Sequence, residues 1–228
     1  CNSMTMADVH GTIGYLHRGR VPIRNRANGW VPVPGWNDDY EWQGDIPFEE
    51  LPRSRNPETG WIATANNRVV GDDYPHYLSH DYAPPYRAMR VIARLESLQN
   101  ATIDDMESIH AERQSIPSHW FSDALAGLTF DDPQVAAARD RLVAWDGVMD
   151  KELVEPAIYA VTREHLNRLV VERPAAQALT PNPFVGEPAV LGPAARLWGQ
   201  VPTMLRDDDT SLLAEGETWA DVLTEAFH

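Results

Sequence analysis

Two adjacent carboxamides, Asn66 and Asn67, follow the apolar run Trp61-Ile62-Ala63, and their type and placement suit them to chemistry. A side-chain amide held at the end of a strand is a neutral N–H donor. Such a donor stabilises the oxyanion that forms when an amide carbonyl is attacked. Trp61 to Ala63 have the character of a short buried strand, which two amides cannot extend without unmet hydrogen-bonding groups. On this segment alone the pair better suits a turn, because Asn tolerates positive φ and caps loops.

Other residues bear on chemistry. Cys1, at the start of the sequence, has the thiol of a possible N-terminal nucleophile, or is an ordinary first residue. Asp72, Asp73, His76, His80 and Asp81 cluster, and His76 and His80 have the i, i+4 spacing of a helical metal pair. Pro75 speaks against a helix there and no Glu stands between the two, so no metal site is expected. Arg163-Glu164-His165 reads as an exposed pair beside a core-edge histidine. Asp207 to Asp209 lack the Gly and distal Glu of a calcium loop, which leaves helix capping as the better account. Trp36, Tyr40 and Trp42 suit the lining of a hydrophobic acyl pocket. Packing of an irregular loop against a sheet is the simpler role for them.

The elements that must position these groups change character near residue 82. Residues 1–82 are rich in Trp, Gly and Pro and read as strands and loops, with a hairpin turning at His10-Gly11. Residues 83–228 read as helical. A helix from Tyr86 to Leu98 places Met89, Ala93 and Leu95 near one face. Thr102 caps a helix through about Glu112, and Pro117 opens another. Asp132-Pro133 opens a helix to Trp145 with Gly147 behind it, and Glu155-Pro156 opens the longest helix. Its expected stripe is Ile158, Val161, His165 (or Leu166), Leu169 and Val170. Residues 173–193 form a Pro/Gly-rich loop, followed by a helix near 193–205. Asp207 to Thr210 are expected to cap a final helix carrying Leu212, Leu213, Trp219, Val222, Leu223 and Phe227.

Composition narrows the field. The 228 residues carry a net charge of −15, with Lys151 the one lysine. That charge argues against nucleic acid. The arginines at 18, 20, 24 and 26 are spaced by Gly19, Pro22 and Asn25 and read as a solvated loop. No apolar run approaches the ~18 residues of a membrane span. A single cysteine excludes an internal disulfide.

Read in order, Ala7-Asp8-Val9-His10-Gly11-Thr12-Ile13-Gly14-Tyr15, Val31-Pro32-Val33-Pro34-Gly35, Trp42-Gln43-Gly44 with Ile46-Pro47-Phe48, and Asn56-Pro57-Glu58-Thr59-Gly60 before the Asn pair form a specific series. It continues with Asp73-Tyr74-Pro75 and Pro84-Pro85-Tyr86-Arg87. This series resembles the β-subunit of penicillin acylases (penicillin amidases), a family of N-terminal-nucleophile hydrolases. The resemblance is detailed over residues 7–96 and looser beyond. It implies an α+β fold, part of an αββα sandwich. It implies hydrolysis of linear amide bonds through an acyl-enzyme on an N-terminal Ser, whose own α-amino group is the base. By resemblance Asn66 is the oxyanion donor and Arg87 its electrostatic support, while Asn2 lies near the acyl pocket. The Ser is expected upstream of Ala7, outside this chain, so the chain reads as an internal piece of the β-subunit and by itself inactive.

The implied partners are a small amide substrate, the small subunit and the rest of the β-subunit. No cofactor is implied for the chemistry. A structural calcium is common in the family, with Asp81 a possible oxygen ligand. Export to the periplasm or outside the cell is also implied. Strand edges that belong to a larger sandwich would lie bare in the piece, and a homodimer or the N-terminal tail is expected to cover them. Two other readings stand beside this one, a non-enzymatic helical binding domain and a self-sufficient hydrolase using Cys1.

Overall fold

The computed structural model describes residues 2–29, 32–174 and 194–228. The chain divides into two compact units, Cys1–Ala101 and Thr102–His228. Cys1, Val31 and the expected loop from residue 175 onward lie outside the described residues.

The first unit is built on a three-stranded antiparallel sheet. Strand β1 (Asn2–Ala7) pairs with β2 (Ile13–Arg18), which pairs on its other edge with β3 (Arg53–Arg55). The hairpin foreseen at His10-Gly11 forms because Asp8 Oδ1 accepts the N–H groups of His10 (2.8 Å) and Thr12 (2.9 Å). Register sets Met6 opposite Gly14, whose missing side chain leaves room for the Met6 thioether. Strand β3, three residues with two arginines, has no alternation to reveal it. It ends at Asn56, which turns at φ +47 and accepts the Ile13 N–H on Oδ1 (2.9 Å).

Residues 61–64 do not form the expected strand. Among the described residues this segment pairs with no strand, although the outer edges of β1 and β3 carry none. It runs extended and half-buried, with Trp61, Ile62 and Ala63 bordering a hollow shared with Tyr15 and Ser54. The unit's core is small: Val21, Ile46, Leu51 and Leu78, with Ile23, Val70 and Tyr74 against them. It closes with helix α1 (Tyr86–Glu96). The buried residue of α1 is Ala88; of the face expected from spacing, Met89 and Ala93 are exposed and Leu95 is half-buried.

The second unit is helical: α2 (Ile103–His110), α3 (Ile116–Ala126), α4 (Pro133–Ala144), α5 (Glu155–Asn167), α6 (Val201–Asp207) and α7 (Trp219–Phe227). Its starts follow the sequence signals. Thr102 and Asp105 form a reciprocal capping box, Asp132 caps α4, and Pro117 and Pro156 sit in first turns. One expectation holds in part and one fails. On α5 the expected Leu166 and Val170 are buried and Ile158 and Leu169 pack against the core, with Tyr159, Thr162 and Asn167 buried beside them, while Val161 and His165 face solvent. Leu166, the alternative to His165, is thus the core position, and α5 continues as a wider i→i+5 turn over Arg168–Glu172. The final helix starts at Thr218, not Asp207, because Asp208 adopts φ +54 and ends α6. The core joins Leu125, Leu142, Leu166, Val170, Val201, Val222 and Leu223, each no more than 2% exposed. Among the described residues no helix is long and apolar enough to cross a membrane.

Candidate active site

Asn66 stands at the tip of the bend over residues 65–67, exposed, with φ +63. Asn is the residue that best tolerates this left-handed conformation after Gly. The turn and donor readings of the sequence therefore coincide in one residue. Three contacts hold its backbone and side chain. The Arg87 Nη2 donates to the Ala65 carbonyl (2.8 Å) and to Asn66 Oδ1 (3.0 Å), and the Ala83 N–H donates to the Asn66 carbonyl (2.9 Å).

Arg87 decides which way the amide faces. A guanidinium only donates, so the Asn66 atom that meets it is the oxygen. The Nδ2 group, with two N–H bonds, is directed away, and among the described residues nothing accepts from it. Arg87 also polarises the amide it touches, which strengthens Nδ2–H as a donor. Its position is costly for the helix itself. A cation in the first turn of α1 opposes the helix dipole by about 0.3–1 kcal/mol, and no acidic residue in that turn compensates. The arginine serves the Asn66 turn.

Asn2, Trp36 and Trp42 lie elsewhere on the first unit. Asn2 is exposed at the start of β1, opposite Arg18. Trp36 is 86% and Trp42 66% exposed, so the loop does not pack them against the sheet. Among the described residues no hydrogen bond or ring contact joins these three to Asn66 or Arg87. A 590 Å³ groove runs over one sheet face, floored by Met4, Met6, Gly14 and Leu16 and rimmed by Phe48, Arg53 and Arg55. A 340 Å³ hollow adjoins the Asn66 turn, with Trp61, Ile62, Val69 and Asn67 in its wall. Neither is lined by Asn2, Trp36 or Trp42.

The histidines have local partners. His76 Nε2 meets Glu50 Oε2 at 2.5 Å and His80 Nδ1 meets the Tyr77 hydroxyl at 2.8 Å, in a segment without helix. Among the described residues no three His, Cys, Asp or Glu side chains converge to hold a metal. Two parts of the turn escaped sequence reasoning: the Ala83 N–H and the side chain of Asn67, which bonds within the turn. The adjacency of the two amides was the available signal for the second.

The chain as a whole is similar to known proteins. The family model for penicillin amidase matches residues 1–228. The penicillin acylase 2 proenzyme of Pseudomonas sp. (strain SE83) is 42% identical over 226 residues, 99% of this chain and 29% of that protein. The acyl-homoserine lactone acylase QuiP of Pseudomonas fluorescens is 31% identical over 175 residues, 69% of this chain and 21% of that protein. Among solved structures, a thermostable penicillin G acylase from Alcaligenes faecalis superposes with a TM-score of 0.66 at 18% identity, covering 98% of this chain and 44% of that one. The chain thus spans less than half the length of each of these relatives. Its α+β fold is that of part of the penicillin G acylase structure. With the ordered series around Asn66 and a match along its whole length, this chain belongs to the penicillin amidase family.

Proposed function

We propose that this chain works as a segment of a longer penicillin-acylase-like amidohydrolase and supplies one donor of its oxyanion hole. The observation that carries this reading is the Arg87–Asn66 hydrogen bond, which fixes Oδ1 and leaves Nδ2 to donate outward. The substrate is a linear amide of the kind borne by a penicillin or an acyl-homoserine lactone.

In the assembled enzyme an N-terminal Ser from another segment attacks the amide carbonyl, and its α-amino group takes the hydroxyl proton. The carbonyl π pair moves to oxygen, where Asn66 Nδ2–H and a backbone N–H from outside this chain receive the charge. Collapse breaks the C–N bond, and the amine departs with the proton. Water then enters by the same route and releases the acid. The chemistry calls for no cofactor. The described residues do not fit a calcium ion, and no step runs through one.

Hydrolysis of a panel of aromatic and aliphatic acyl-nitroanilides tests this, with the chain alone and with the full-length protein that carries it. The expected result is no turnover by the chain alone. The full-length protein should turn over, indifferent to thiol alkylation. Turnover by the chain alone, abolished by alkylation, would make Cys1 the nucleophile and overturn the proposal. So would a full-length protein inert on the whole panel.

A further inference from the structure

We propose that Asn67 is the positioning residue of the Asn66 donor, an inference that rests on the amidase reading above. Asn67 Oδ1 accepts the Ala65 N–H at 3.0 Å, and its Nδ2 donates to the Arg68 carbonyl at 2.8 Å. One side chain therefore spans the bend, tying the residue before Asn66 to the residue after Asn67. Ala65 is gripped at both its polar groups, the carbonyl by Arg87 and the N–H by Asn67. The Asn66 carbonyl is held separately by Ala83.

This brace is needed because Asn66 is left-handed at φ +63 on an exposed tip with no regular structure on either side. A non-Gly residue persists there only when its surroundings over-determine it. Arg87 fixes the far side of the amide, but a single guanidinium nitrogen cannot prevent the turn from swinging about that contact. Ala83 holds the Asn66 carbonyl, and Asn67 adds a further point of attachment at the Ala65 N–H. It is half-buried and faces the hollow behind the turn, so it does not compete with Asn66 for the oxyanion. Ala65 is half-buried too, and its N–H would lose its partner if the side chain were removed.

The test is a double-mutant cycle in the full-length protein, on one acyl-nitroanilide, with N66A, N67A, the pair, and N67D. Asp keeps the acceptor for the Ala65 N–H and loses the donor to Arg68. The expected result is a roughly tenfold fall in kcat for N67A with KM within about twofold, since an uncertain donor weakens transition-state more than ground-state binding. Most of that loss should return in N67D. In the N66A background N67A should cost nothing further, because a residue that acts through Asn66 has nothing left to position. Additive losses, or an N67A whose kcat per folded molecule is unchanged, would overturn the proposal. Should N67A fail to fold, N67D at less than half the parent kcat would overturn it as well. Failure of the amidase reading is distinct, since N66A alone would then leave kcat unchanged.

Discussion

Among single residues, the proposed oxyanion hole depends on an amide whose oxygen is occupied and whose nitrogen is offered. Arg87→Ala removes the contact that sets this orientation and frees both the Ala65 carbonyl and Asn66 Oδ1. We expect kcat of the full-length protein to fall at least tenfold, with Arg87→Lys recovering only part. An ammonium supplies the charge on a flexible stem, without the planar guanidinium that holds Nη2 against both oxygens. Equal kinetics for Arg87→Ala and its parent would contradict this. The Asn66–Arg87 pair was legible in the sequence, because the ordered series sets both residues in a recognisable pattern. Asn67 and Ala83 were not, since backbone N–H groups leave no mark in a sequence and an Asx contact looks like any other turn residue.

Elements were legible at their ends and much less so at their faces. Caps are local: Thr102 and Asp132 accept N–H groups within a turn, and Pro117 and Pro156 stand in first turns where no N–H is needed, so sequence alone locates them. Which stripe of a helix is buried depends on what packs against it: α1 buries Ala88 and leaves Met89 and Ala93 exposed, and α5 buries the expected Leu166 but adds Tyr159 and Thr162, which spacing did not single out. The expected strand at 61–64 failed for the same reason, because pairing needs a partner that composition does not name. Gly147 shows how a loop can be fixed by contact. It sits at φ +78, and a Cβ there would lie 2.7 Å from Ser118 Oγ and 2.8 Å from Gln114 Nε2. Gly147→Ala should therefore destabilise the helical unit by about 1–3 kcal/mol, read as a lowered melting temperature. An unchanged melt would show that the loop relaxes freely.

Across the molecule as a whole, the two units answer differently to acid. In the first, burial pushes the His17 imidazole below its usual 6.5, because the fold favours the neutral ring. A depressed value means stability that is full above 6.5 and is lost as pH falls through the lowered value. In the second, Glu217 lies below its usual 4.5, held by the Ala214 N–H, and Asp221 below 3.8, held by the Thr218 hydroxyl. Their contribution persists above those values and drains away further into acid. Amide exchange across a pH series should show the first unit loosening before the second, and the reverse order would contradict these assignments. Strand β1, with all six residues exposed and Met4 and Met6 bare, should also make the isolated chain associate as its concentration rises. Replacing both methionines with lysine should keep it monomeric in sedimentation velocity, and association unchanged by that replacement would exclude β1 as the contact. Steady-state kinetics of Asn66→Ala in the full-length protein decide between an oxyanion donor and a simple turn. Loss of one oxyanion donor predicts a fall in kcat of about 10²–10³-fold with KM nearly unchanged, whereas kcat within twofold of the parent would show that Asn66 is a turn residue and nothing more.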